Sequence, residues 1–119
     1  MLCLAASPAY AQDGTLFAGT EAAGLFASRD CGHTWDATSR RQFSTPVNAL
    51  LVDPDYPNTR ILLAATGDGL FISSDGGKRW TRRWAGGEVL SLAALGGPLE
   101  TGQVLVGSSS GVVRLTAAT

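Results

Sequence analysis

An all-β architecture of four-stranded antiparallel units laid one after another is what this 119-residue sequence predicts, on three observations. The stretch Gly24-Leu25-Phe26-Ala27-Ser28-Arg29-Asp30-Cys31-Gly32-His33-Thr34-Trp35 recurs as Gly69-Leu70-Phe71-Ile72-Ser73-Ser74-Asp75-Gly76-Gly77-Lys78-Arg79-Trp80, each shared position 45 residues on. Apolar runs last only five or six residues, the length of strands rather than helices. Glycine is spread through the chain and turn clusters recur every 8–12 residues, the pattern of a strand array, and no helix is expected. A repeat of this length implies units that cover their apolar faces by stacking on one another.

The first unit spans residues 1–46. Its opening, residues 1–12, has the apolar run and Ala-x-Ala ending of a secretory leader but no basic start. Ser7-Pro8-x-Tyr10 lies 46 residues before Asp53-Pro54-x-Tyr56, and residues 16–20 lie 46 before the similar residues 62–66. A strand of the repeat, near residues 2–6, is therefore the reading. Proline then presets φ and ends the ladder. Strands follow at about 15–20, 24–28 and 34–38, with residues 39–46 a polar, basic connector.

The second unit, residues 47–88, repeats the plan with strands at 47–52, 61–66, 70–74 and 79–84. The first two are almost continuously apolar, as strands buried on both faces are. The third unit, residues 89–119, keeps strands at 89–94, 103–107 and 111–115 and has Ala117 where the aspartate would stand. Four, four and three strands make eleven, about 2.75 units.

Within the repeated stretch, Gly-Leu-Phe-x-Ser suits a half-buried strand, and Ser-x-Asp-x-Gly gathers turn residues. The aspartate is expected to accept N–H groups one or two residues on, and the glycine to supply a positive φ. The tryptophan opens the return strand and offers a large apolar surface to plug the space between sheets. Ser28, Asp30, Gly32, Thr34 and Trp35, with Ser73, Asp75, Gly77 and Trp80, are thus read as structural. A catalytic group has no reason to recur at one place in successive repeats.

These residues resemble the Asp-box, or BNR repeat, Ser-x-Asp-x-Gly-x-Thr-Trp, with Arg79 replacing the threonine in the second copy. Such boxes occur in β-propellers: sialidases, xyloglucan-degrading glycosidases, sortilin-type receptors and photosystem II assembly and stability factors. The resemblance implies propeller blades in a WD40/YVTN/BNR-like array, with the box a hairpin away from any active site. It also implies relatives that are often exported, to the periplasm or the cell exterior.

Propellers close with about four to eight blades, so fewer than three imply further blades, either from a longer chain cut near blade boundaries or from self-association. The outermost faces, led by residues 47–52 and their equivalents, are expected to leave apolar patches of roughly several hundred Å2, the size of an interface.

With a net charge of −1 and no charge run, neither nucleic acid nor an anionic membrane is expected as partner. Arg79, Arg82 and Arg83 read as a solvated edge. Cys3 and Cys31 form no disulfide scaffold and read as unpaired.

No catalytic residue is assigned. A sialidase would need an arginine triad and an Arg-Ile-Pro signature, which the sequence lacks. Tyr10 and Tyr56 belong to the repeated Pro-x-Tyr turn. Of the loose candidates for a glycosidase acid–base pair, Asp53, Asp55 and Asp68, the first merely replaces Ser7. Cys31-x-His33 offers two zinc ligands of the usual four, and Gly67-Asp68-Gly69 lacks the helix that would hold a phosphate. No metal or cofactor is expected. The reading is a non-catalytic binding or scaffold module, with a protein or glycan as possible ligand. The alternative is a piece of a secreted glycoside hydrolase.

Overall fold

The computed structural model describes residues 3–21, 24–38, 46–95, 99 and 103–115. Eleven strands among them form three antiparallel sheets. The first joins β1 (Cys3–Ala6), β2 (Leu16–Gly19), β3 (Leu25–Ser28) and β4 (Asp36–Ala37) in chain order. The second joins β5 (Val47–Val52), β6 (Leu62–Thr66), β7 (Gly69–Ser73) and β8 (Thr81–Trp84). The third joins β9 (Val89–Ala94), β10 (Val104–Ser108) and β11 (Gly111–Leu115). Each sheet is a meander, and the three stack face to face as blades of a β-propeller, with β5 lying against both β1 and β9. The connector expected at 39–46 and the aspartate-replacing Ala117 lie almost wholly outside the described residues; Pro46 alone is described.

Strand β6 shows why the sheets stack. Successive side chains of a strand point to opposite faces. Leu62 and Ala64 accordingly join a cluster with Phe17, Leu25, Ala27, Val47, Tyr56 and Trp80, between the first and second sheets. Leu63 and Ala65, with Ile61 just before the strand, join Leu70, Val89, Val104, Val106 and Leu115 between the second and third. All five β6 residues are buried, and each such leucine contributes about 1.5–3 kcal/mol. Gly19 permits the first close contact, since a Cβ there would stand 2.7 Å from Val47 Cγ1. Polar links cross the same gaps: Val47 N–H donates to Thr20 O at 3.0 Å, and Asn48 Nδ2 donates to Val89 O at 2.9 Å.

Two expectations need correction. Single helical turns, α1 (Tyr10–Asp13) and α2 (Tyr56–Thr59), occupy the Pro-x-Tyr turns where no helix was expected. Four residues show no periodicity in sequence, yet each turn closes on a left-handed residue, Gly14 or Arg60, whose N–H returns to the tyrosine carbonyl. Strand β5 is also less buried than its composition implies: Val47 and Leu50 are buried, while the other four residues are half-buried. It is a sheet edge, paired among the described residues with β6 alone. Among the described residues the exposed large apolar side chains are Leu4, equivalent to Leu50, and Tyr10 in the first unit, and Leu90, Leu95 and Val112 in or beside the third sheet.

Candidate functional site

The repeated hairpins use the same bonds twice. Ser73 Oγ donates to Asp75 Oδ1 at 2.8 Å and accepts the Gly77 N–H at 3.0 Å; Ser28, Asp30 and Gly32 repeat both bonds, at 2.8 and 2.9 Å. The carboxylate reaches farther than one or two residues. Asp75 Oδ1 accepts the N–H groups of Lys78 and Arg79, three and four residues on, and Asp30 accepts that of Thr34. The indole Nε1 of Trp80 donates to Gly77 O at 2.8 Å, and that of Trp35 to Gly32 O at 3.0 Å.

Each turn needs two consecutive positive φ angles, supplied by Gly76 and Gly77 in the second hairpin but by Cys31 and Gly32 in the first. Where the first has Thr34, whose hydroxyl donates to Asp30 Oδ2, the second has Arg79, whose Nε pairs with Asp75 Oδ2 at 3.4 Å. Asp30 is held at about 2, mainly by the hydroxyl and N–H of Thr34 and the hydroxyl of Ser28. For Asp75 partial burial pushes the carboxyl up, but the N–H of Arg79, the Ser73 hydroxyl, the Lys78 N–H and the Arg79 charge together lower it below its usual value. Both carboxylates are occupied by their own turns.

A second repeated device lies in the Pro-x-Tyr turns. Ser7 Oγ donates to Asp13 Oδ2 at 2.9 Å; 46 residues on the roles are exchanged, and Thr59 Oγ1 donates to Asp53 Oδ2 at 3.0 Å. Asp53 is fully buried and also accepts the N–H groups of Asp55 and Leu99. Asp13 and Thr59 escaped sequence reasoning, although the exchanged pair at one offset was there to be read.

The other candidates sit apart. Asp55 is exposed and accepts Asn58 Nδ2 at 2.7 Å; Asp68 is exposed in the β6–β7 turn. His33 Nδ1 lies 2.6 Å from Asp30 O, and Cys31 is exposed. Cys3, half-buried beside Val47 O, has its thiol pushed up by burial. Tyr56 is buried against Phe17 in an edge-to-face contact, ring centroids 5.4 Å apart, with Arg60 over its ring. Among the described residues no three of His, Cys, Asp and Glu gather as metal ligands, and no helix is long and apolar enough to cross a membrane. Of the basic cluster, Arg79 and Arg82 are exposed, Arg82 lying over the Phe71 ring, while Arg83 Nη1 donates to Leu99 O at 3.0 Å.

A cleft of about 630 Å3 opens on the second sheet, lined by Ile61, Ile72, Ser74, Thr81 and Arg83 and by the Asp75–Arg79 pair. It combines an apolar floor with two guanidinium groups, one of them on its own aspartate. Among the described residues that line it, no nucleophile is paired with a base.

No family model matches the chain, and no curated protein matches it. Among solved structures the chain is similar to the crystal structure of an ancestral GH74 enzyme, with a TM-score of 0.67 and 21% identity. The likeness covers 98% of this chain and 18% of that one, so the chain spans less than a fifth of the protein it matches. At this identity the likeness is one of fold, that of stacked propeller blades.

Proposed function

We propose that the chain is a non-catalytic propeller module of the Asp-box (BNR) kind, in which blades of residues 1–46, 47–88 and 89–119 form a binding or scaffold surface within a larger propeller. One observation carries this reading. Leu50 and Tyr56 of the second blade are 8% and 1% exposed against the first blade, while Leu4 and Tyr10, 46 residues earlier, are 63% and 37% exposed. Trp35 is likewise half-buried where Trp80 is buried. The first blade therefore offers the same apolar face that the second buries, and a further blade, from this polypeptide or another copy, is its natural cover. Occupied turn carboxylates fit a structural role for the boxes, and a protein or glycan is the ligand class such a surface takes.

Size-exclusion chromatography with light scattering tests the reading. Self-association, or assembly with a longer propeller, is the expected result; a well-folded, monodisperse monomer would overturn it. The second reading, a piece of a glycoside hydrolase, is favoured by the likeness to a GH74 enzyme. Release of reducing sugar from a xyloglucan or a sialoside by the chain alone would replace the first reading with the second.

A further inference from the structure

Strand β11 pairs among the described residues with β10 alone, whereas its counterparts β3 and β7 each pair with a following strand. At the gap between the first two sheets, the second hairpin reaches back onto the first sheet. A Cβ on Gly77 would stand 3.2 Å from Leu25 Cδ2 and 3.4 Å from Thr38 Oγ1, and Trp80 is buried in one cluster with Leu25 and Ala27. The residues 45 positions after Ala27, Asp36 and Thr38 are Ile72, Thr81 and Arg83, and all three line the 630 Å3 cleft. The cleft thus stands on the second sheet where the first sheet receives a tryptophan hairpin.

We propose that this cleft and the β11 edge form one docking site for a tryptophan-bearing β-hairpin. The inference rests on the reading of the chain as stacked blades. The indole ring packs on Ile61 and Ile72, and the return strand extends the third sheet, main-chain bonds giving affinity and the cleft giving selectivity. The β7–β8 register, Leu70↔Trp84, Phe71↔Arg82 and Ile72↔Thr81, carries over to β11 at Val112, Val113 and Arg114, 42 residues on. Arg114 then faces the residue directly after the tryptophan. An acidic residue suits that position, since opposite charges across a strand pair attract. Trp35-Asp36 has this order, and a peptide of residues 28–38 carrying Cys31→Gly is the probe.

Titrating the peptide into the nitrogen-15-labelled chain is expected to give saturable shifts at Ile61, Ile72 and residues 112–114. Amide exchange along β11 should slow by about tenfold or more. Trp35→Ala in the peptide should weaken binding by about tenfold or more, and Asp36→Lys should weaken it further than Asp36→Asn. Three outcomes overturn the proposal while β6 amides stay protected: no shift at about 1 mM peptide, shifts centred on Leu4, Leu16 and Phe26 instead, or equal binding of the Trp35→Ala peptide. Unprotected β6 amides in the free chain would overturn the stacked-blade reading itself.

Discussion

The buried carboxylate of Asp53 accepts the backbone N–H of Leu99 at 2.8 Å, across 46 residues of chain. This bond ties the turn of the second sheet to a residue buried with the third, beside Leu63 and Val104. The other oxygen of the same carboxylate receives Asp55 N–H and the Thr59 hydroxyl, so one side chain fixes a turn and an interface together. Asp53→Ala should cost about 2–3 kcal/mol, because buried donors lose a charged acceptor. Since the first sheet makes the same turn with the roles exchanged, Asp53→Ser with Thr59→Asp should recover the turn's share and not the Leu99 link. Urea melts of the single and double variants check this; equal stabilities would refute it.

Tyr56 offers the opposite case. Its hydroxyl is buried without a well-formed hydrogen bond among the described residues, only the Arg60 guanidinium acting on it from nearby, so Tyr56→Phe removes a desolvated polar group and keeps the contact with Phe17. The variant should be neutral, or stabilised by up to about 1 kcal/mol, in the same melts.

In the second hairpin, Asp75→Ala leaves the N–H groups of Lys78 and Arg79 without their acceptor and should cost about 1–3 kcal/mol. Arg79→Ala removes only a solvent-exposed ion pair and should cost under about 1 kcal/mol. Lys78→Ala should be silent, within about 0.5 kcal/mol. Equal effects at the three positions would mean that the turn is held by something other than its carboxylate.

Cys31 carries φ 64° where its counterpart is Gly76 at φ 78°. A side chain in this region is strained by about 1–2 kcal/mol, partly offset by the lower backbone entropy of a non-glycine residue when unfolded. Cys31→Gly should therefore stabilise by about 0.5–1 kcal/mol, and Gly76→Ala should destabilise. Thermal midpoints moving the other way would exclude strain at this turn.

Both turn carboxyls are depressed in the folded state, Asp30 to about 2 from 3.8 and Asp75 in the same direction. A carboxyl of this kind contributes its full stabilisation above its unfolded pKa and loses it as pH falls through the folded value. Stability should hold from neutral pH down to about 5, then fall between 3.8 and about 2. Urea midpoints against pH measure this, and Asp30→Asn with Asp75→Asn should flatten the fall.

The strands were legible because alternation, glycine punctuation and a 45-residue recurrence all point to the same short antiparallel runs. The two helical turns were not, since a single turn leaves no periodic trace and depends on a left-handed cap that Arg60 supplies against its own preference. The hairpin residues were legible as a set. Their bonds were not, because Ser-x-Asp-x-Gly does not say whether an N–H goes to the hydroxyl or to the carboxylate.

By itself, then, the sequence determined the repeat, the strands and the residues of each turn, all local properties written at fixed spacing along the chain. Only the tertiary structure decided which face of each sheet is covered and where a cleft is left. Equivalent residues such as Leu4 and Leu50, or Trp35 and Trp80, hold matching positions in the repeat and differ in whether a neighbouring sheet lies against them.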